Sequence, residues 1–367
     1  MTKVHLEGCE ALIYAAPFLE PYVTSAGTIT SREMLLVRLR AGGLEGVGEV
    51  APMSLRGGPD AYALLDEVRE ALDELEGRPV PTADLDGVER ALARLRTRLA
   101  PTAYAAIEVA LLDLASRLAE MPLWRWLGAS SPDPIECNAT LPMAEPARLE
   151  ALAAELADEG FVEFKLKVGS SNDREMAIGT MAGAGEGGVL RLDANGAWGP
   201  QEAVAALTAI AEACPRLDLV EQPTVEARGL AFVRASIPIK VSADESLVST
   251  TDANRLVAAE ACDAATAKLT KVGGIRAAIA ISELIPTYYS SALEGPIGIA
   301  AAAHAAFASK SGGFRHGLAS DALYADSIAD GSLRSGPRIE PPQQAGIGVG
   351  IDEAALTRLR VDAGAPG

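Results

Sequence analysis

From about Pro134 onward, short apolar runs of strand character alternate with alanine-rich stretches whose apolar residues recur every three or four positions. The runs are Ile135 to Leu141, Val162 to Val168, Val189 to Asp193, Leu217 to Glu221, Ile239 to Ser242, Ala264 to Leu269 and Tyr288 to Ser291. Each is followed by enough chain for a helix, beginning with the pattern from Glu145 to Asp158. That rhythm predicts seven βα units, and a short strand near Phe314 to Leu318 would close them into a barrel. The first hundred-odd residues read differently. Strand-like runs at Val4 to Tyr14, Met34 to Arg40 and Gly46 to Val50 precede helical patterns at Leu64 to Leu75, Val88 to Leu99 and Ala103 to Leu118. Two stretches rich in Gly, Pro, Ser and Thr, Pro21 to Ser31 and Ala51 to Asp60, read as mobile loops. The tail from Asp321 is loop-rich, with a hairpin-like Pro/Gly stretch through Pro341 to Gly350 and a final short helix, and is expected to return to the N-terminal part. The expected class is α/β: a modified TIM barrel, (β/α)7β, over residues 131–320, with an N-terminal α+β capping domain over 1–130 completed by the tail 321–367.

Composition sharpens this picture. Hydrophobic residues make up 49% of the 367, but aromatics only 4%, so Ala, Leu and Val must build the interior, which suits helices on parallel strands. The formal charge of −18 and a pI near 4.7 argue against nucleic acid or an anionic membrane surface as a partner. An anionic small molecule must then be drawn in by a local cationic pocket. Cys9, Cys137, Cys214 and Cys262 are widely separated and only three histidines are present, which speaks against a structural zinc or a disulfide framework. Glu7, Glu10 and Glu20 interrupt any signal-peptide pattern, and the alanine-rich stretch from Gly295 to Ala308 is too short to span a bilayer. A soluble cytoplasmic protein is expected, its oligomeric state open, a homo-oligomer included.

The chemistry lies at the ends of the predicted strands. Lys165 and Lys167 sit in Phe164-Lys165-Leu166-Lys167-Val168, and Asp193, Glu221, Asp244 and Lys268 follow Lys167 at steps of 26, 28, 23 and 24 residues. That interval is one strand plus one helix, so each would arrive at the same end of consecutive parallel strands. Strand alternation turns both lysines to the face opposite Phe164, Leu166 and Val168. Taken singly, a lysine at a strand end can simply reach solvent and an acid can cap the next helix. Three acids together would repel one another without a cation, and all-oxygen ligation suits Mg²⁺ or Mn²⁺. Lys271, past the strand end, is expected in solvent. A lysine in such a dry site can have its pKa lowered to about 7–8 and serve as a base, while a metal binds a substrate carboxylate.

The lysine pair 165/167, Asp193-Ala194-Asn195, Glu221-Gln222-Pro223, Asp244-Glu245-Ser246 and Lys268 with Gly273-Gly274 resemble the enolase superfamily, in particular its muconate-lactonising subgroup. Further segments are similar to o-succinylbenzoate synthases of menaquinone biosynthesis. These are Asn138-Ala139-Thr140-Leu141-Pro142, Ser290-Ser291-Ala292-Leu293-Glu294-Gly295, His316-Gly317-Leu318 and Gly46 to Met53. The resemblance spans essentially the whole chain. It brings with it the superfamily's known chemistry, in which lysine or histidine bases work with Mg²⁺ to stabilise an ene-diolate.

The resemblance implies a carbon–oxygen lyase acting on a small-molecule carboxylate, 2-succinyl-6-hydroxy-2,4-cyclohexadiene-1-carboxylate, by syn-elimination of water. It makes Lys167 the base, Lys268 the stabilising cation and Lys165 a helper, with Asp193, Glu221 and Asp244 as metal ligands. Ser290, Ser291, Asn195 and Arg56 are the substrate-binding candidates, and the two loops are the lids. Two lysines on opposite faces equally meet the needs of an N-succinylamino acid racemase or dipeptide epimerase, the alternative reading, with a muconate-type cycloisomerase a weaker third.

Overall fold

A computed structural model describes residues 4–24, 27–82, 84–310 and 312–361, leaving aside the side chains of 23, 24, 27 and 56. The N-terminal part carries β1 (Gly8–Thr24), β2 (Gly27–Ala41), β3 (Leu44–Val50), α1 (Ala61–Leu75), α2 (Leu85–Arg98), α3 (Pro101–Leu118) and the one-turn α4 (Leu123–Trp126). The alternating part begins with β4 (Ile135–Glu136), β5 (Ala139–Leu141), α5 (Pro146–Asp158), β6 (Glu163–Lys167), α6 (Asp173–Ala184), β7 (Val189–Asp193), α7 (Pro200–Ala213), β8 (Leu217–Glu221) and α8 (Ala227–Ser236). It continues through β9 (Lys240–Ala243), α9 (Thr250–Ala258), β10 (Ala264–Ala267), α10 (Leu269–Val272), α11 (Ile275–Ser282), β11 (Thr287–Tyr289) and α12 (Pro296–Phe307). The tail adds β12 (Arg334–Ser335), β13 (Arg338–Ile339), α13 (Glu353–Leu359) and β14 (Arg360–Val361).

Strands β5 to β11 form one parallel sheet in sequence order, as the βα rhythm predicts. The eighth strand is reduced to single bridges: Cys137 pairs with His316 and Ser290 with Gly317, so residues 316–317 join the first and last strands of the curled sheet. Apolar residues of even number, such as Phe164, Leu166, Leu190 and Leu192, are fully buried in the main core, on the helix side of the sheet. A separate cluster of Leu219, Ala264 and Tyr288, with Phe314 packed against it, fills the barrel interior.

In the N-terminal sheet the order is β14-β1-β2-β3, and Ile13 pairs with Val361, so the end of the chain does return to the beginning. Gly46 and Gly48 let β3 lie against α3: a Cβ at Gly48 would stand 2.1 Å from the Ala106 carbonyl oxygen, a contact no side chain can make. Asp113 of α3, wholly buried, accepts from the backbone N–H of Val47 (2.9 Å) and of Ile347 (2.8 Å) and from Arg117 (2.9 Å), tying helix, strand and tail together.

Two expectations are corrected. Pro21 to Ser31 is not a loop: apart from Ser25 and Ala26, which lie outside the described residues, it continues β1 and β2, with Tyr22 paired to Ile29. Thr, Ile, Tyr and Val there favour extended backbone, and the long neighbouring strand supplies partners for it. The short hairpin of the tail is β12–β13, at Arg334 to Ile339, rather than within Pro341 to Gly350.

Candidate active site

The register of the barrel strands decides what meets at their ends. Lys165 pairs with Arg191, Lys167 with Asp193, Asp193 with Glu221, and Glu221 with Ser242, two residues before Asp244. In parallel strands, paired residues point to the same face, so the odd-numbered lysines and acids converge inside the barrel. Asp193, Glu221 and Asp244 are at most 1% exposed, and Lys165 is 4% exposed.

One ammonium spans two acids. Lys165 Nζ lies 3.0 Å from Asp193 Oδ2 and 2.8 Å from each oxygen of Glu221. Lys167 Nζ donates to Asp193 Oδ2 (2.7 Å) and to Asn195 Oδ1 (2.9 Å), and Asn195 in turn donates to Glu245 (3.0 Å). At the other end of the row, Lys268 donates to Asp244 Oδ2 and Lys271 to Asp244 Oδ1 and its backbone carbonyl. Lys271 thus lies buried in α10 against Asp244, not in solvent as expected, because the turn of helix after Lys268 carries its side chain back over the strand end.

Burial works against each charge, yet the partners decide the outcome. Lys165 and Lys167 outweigh desolvation at Asp193 and hold its pKa below the usual carboxylate range, and Lys268 and Lys271 do the same for Asp244. Glu221 differs: burial and the Asp193 charge raise it above its ordinary value despite Lys165. Among the lysines, Asp193 and Glu221 overcome desolvation at Lys165, and Asp244 and Glu221 overcome it at Lys268, so both are raised. The expectation of a lysine lowered toward neutrality is corrected for these two. The reason is that carboxylates, not further cations, are their nearest neighbours.

Sequence reasoning missed two supports. Gln222, buried with φ of 42°, bridges neighbouring strand ends, its Oε1 accepting from the Asp244 N–H (2.8 Å) and the Ser246 hydroxyl (3.1 Å). Tyr288, wholly buried on β11, donates to Glu221 Oε2 (2.7 Å). An inward parity with Ser290 was the only available signal for Tyr288. Ser290 and Ser291 line a small cavity with Glu49, Leu269, Glu294 and Gly298, and the Ser291 hydroxyl donates to Ser320 (2.7 Å). The loop after β3 reaches the same neighbourhood: the Thr270 hydroxyl donates to the Ala51 carbonyl (2.9 Å), two residues past Lys268. The Arg56 side chain lies outside the described residues.

Among the described residues, no three acid, His or Cys side chains are grouped closely enough to grip one ion, and each acid of the row is engaged by an ammonium. The donor chemistry nonetheless fits a hard divalent cation: three buried carboxylates, oxygen only, on consecutive strands. A cation there competes with the ammonium groups for the same oxygens.

The chain matches known proteins over most of its length. Residues 148–355 match the enolase C-terminal domain-like family, and residues 10–128 match the N-terminal domain of mandelate racemase / muconate lactonizing enzyme. It is 31% identical to a hydrophobic dipeptide epimerase of Enterococcus faecalis, over 90% of this chain and 95% of that one. A crystal structure of a dipeptide epimerase from Enterococcus faecalis, complexed with Mg and the dipeptide L-Leu-L-Tyr, superposes with a TM-score of 0.87 at 29% identity, covering 95% of this chain and 99% of that one. An o-succinylbenzoate synthase of Thermobifida fusca is 31% identical over 63% of this chain and 72% of its own length. Family matches over both parts of the chain, on a fold whose acids and lysines meet at the strand ends, identify it as an enzyme of the enolase superfamily.

Proposed function

We propose that this enzyme removes the proton α to a substrate carboxylate, with Lys167 and Lys268 as proton-carrying groups on opposite flanks of a Mg²⁺ held by Asp193, Glu221 and Asp244. The observation that carries this is the order of groups across the strands: a row of three buried acids flanked by Lys167 on Asp193 at one end and Lys268 on Asp244 at the other. Mg²⁺ when bound supplies positive charge at the substrate carboxylate and so makes the α-proton more acidic, and Mn²⁺ can replace it. Asn195 orients the Lys167 amine, Gln222 fixes the Asp244 backbone, and Lys165 balances Asp193 and Glu221. Lys268, which donates to Asp244 Oδ2, is placed to deliver a proton to the opposite face of the α-carbon or to stabilise negative charge there. Residues 1–130 with 321–367 act as a cap over a barrel of 131–320, a division that the separate sheet joining β14 to β1, β2 and β3 supports.

Delivery from the opposite face is a 1,1-proton transfer, the reaction of a racemase or epimerase. The dipeptide epimerases that match this chain nearly end to end support it, ahead of the dehydratase reading. A second reading, syn-dehydration of 2-succinyl-6-hydroxy-2,4-cyclohexadiene-1-carboxylate to o-succinylbenzoate, is supported by the shorter match to an o-succinylbenzoate synthase. A free dipeptide brings an ammonium that needs a carboxylate partner. Asp321, whose neighbour Ser320 accepts from Ser291, is already taken by Arg334 (2.7 Å) and Ser332 (2.7 Å). Glu49 and Glu294, which line the cavity with Ser290 and Ser291, leave carboxyl groups there that suit an ammonium rather than a succinyl carboxylate.

The test is to incubate the purified enzyme with Mg²⁺ in D₂O with a dipeptide, an N-succinylamino acid and the cyclohexadiene acid in separate reactions. Deuterium at the α-carbon of recovered, epimerised substrate identifies proton transfer between faces. Appearance of the aromatic product identifies dehydration. No exchange and no product with any of the three would overturn the proposal.

A further inference from the structure

Beneath the acid row lies a stack that the chemistry above does not use. Arg191 is 1% exposed, its Nη2 lies 2.6 Å from Glu163 Oε1, and its Nη1 donates to the Arg315 carbonyl (3.2 Å). Its guanidinium lies 4.3 Å from the centre of the Tyr288 ring. The Tyr288 hydroxyl reaches upward to Glu221 Oε2 at 2.7 Å. Of the three acids in the row, Glu221 is the one with an aromatic hydroxyl as well as an ammonium on its carboxylate.

We propose that Tyr288, clamped by Arg191, is a positioning residue that fixes the Glu221 carboxylate for metal binding. This rests on the reading of Glu221 as a metal ligand. The geometry gives the reason. Lys165 is shared between Asp193 and Glu221 and sits on a flexible four-carbon stem, so it cannot by itself set the plane of either carboxylate. Tyr288 is wholly buried, with its ring packed against Phe314 (centroids 5.9 Å apart) and against a guanidinium that is itself paired with Glu163. A neutral phenol is also the right partner: it donates one hydrogen bond and brings no charge to compete with a cation. Groups that orient a ligand from behind in this way are commonly worth about 10–100-fold in metal affinity.

The experiment compares wild type, Tyr288→Phe and Glu221→Gln, measuring Mn²⁺ binding by calorimetry, metal-free melting temperature, and kcat and KM at saturating metal. The expected result is a Kd for Mn²⁺ weakened by about 10–100-fold in Tyr288→Phe. The metal-free melting temperature should stay within a few degrees, and much of kcat should return at saturating Mn²⁺. A merely structural hydroxyl would lower the melting temperature and leave Kd unmoved. A Kd within twofold of wild type in Tyr288→Phe, alongside loss of binding in Glu221→Gln, overturns the role of Tyr288 and leaves the metal site standing. Undiminished binding in Glu221→Gln overturns the metal-ligand reading itself, and the inference with it.

Discussion

The barrel interior and the contact between β3 and α3 are both largely buried, yet they are built on opposite principles. Inside the barrel, Lys165, Lys167, Lys268 and Lys271 meet Asp193, Glu221 and Asp244, with Arg191 and Glu163 below. Between β3 and α3 the surfaces are glycine, alanine and leucine at backbone distance, with the buried Asp113 carboxylate tying the joint. Buried ion pairs give back in attraction about what they lose in hydration, so the charged interior is poor evidence of stability and good evidence of chemistry. The close-packed contact is the reverse. Substitutions in the first region should therefore show chiefly in activity, with stability kept where a second partner remains for each buried charge, and those in the second should cost stability while activity is kept.

The largest expected effect is in the barrel. Lys167→Ala should lower kcat by about 10²–10⁴-fold, with a melting temperature close to wild type because Lys165 still neutralises Asp193. A variant that unfolds instead would break the contrast. Asp193→Asn should abolish saturable Mg²⁺ binding in calorimetry together with turnover, since it removes the acid shared by Lys165 and Lys167. Activity independent of Mg²⁺ in that variant would remove the metal from the mechanism.

In the close-packed region, Asp113→Ala leaves the Val47 and Ile347 N–H groups and Arg117 without their acceptor. It should cost about 3 kcal/mol in urea denaturation while kcat of the folded fraction is kept. Gly48→Ala forces a methyl group into the α3 backbone and should cost about 2–3 kcal/mol in the same measurement.

The smallest effect sharpens the boundary between the regions. Glu49 of β3 accepts from Tyr14 (2.6 Å) and from the N–H of Gly298 on α12 (3.2 Å), and burial raises its pKa from 4.5 to about 7. A carboxyl raised on folding binds its proton more tightly in the native state. Its stabilising protonation is fully present below pH 4.5 and is lost as the pH climbs to about 7. Glu49→Gln should flatten the fall in melting temperature over that window. An unchanged slope would mean that Glu49 stays ionised throughout.

Much of this molecule was legible in its pattern. The spacing of Lys167, Asp193, Glu221, Asp244 and Lys268 located the strand ends, and alternation gave the inward face of β6. The Pro21 to Ser31 segment was misread because Gly, Pro, Ser and Thr suit both a loop and a paired edge, and only the presence of β2 alongside decides. Lys271 was misread because its place depends on one turn of helix after β10 folding back over Asp244.

The sequence by itself determined the alternation of strand and helix, the acids and lysines at one end of the barrel, and an interior of small aliphatic residues. These follow from periodicity, which is local and repeats along the chain. Only the tertiary structure decided which ammonium holds which carboxylate, that Gln222 bridges two strand ends, and that Tyr288 stands on Arg191 beneath Glu221. Those contacts join residues 22 to 97 positions apart, and their geometry comes from barrel register and curvature, which no local pattern encodes.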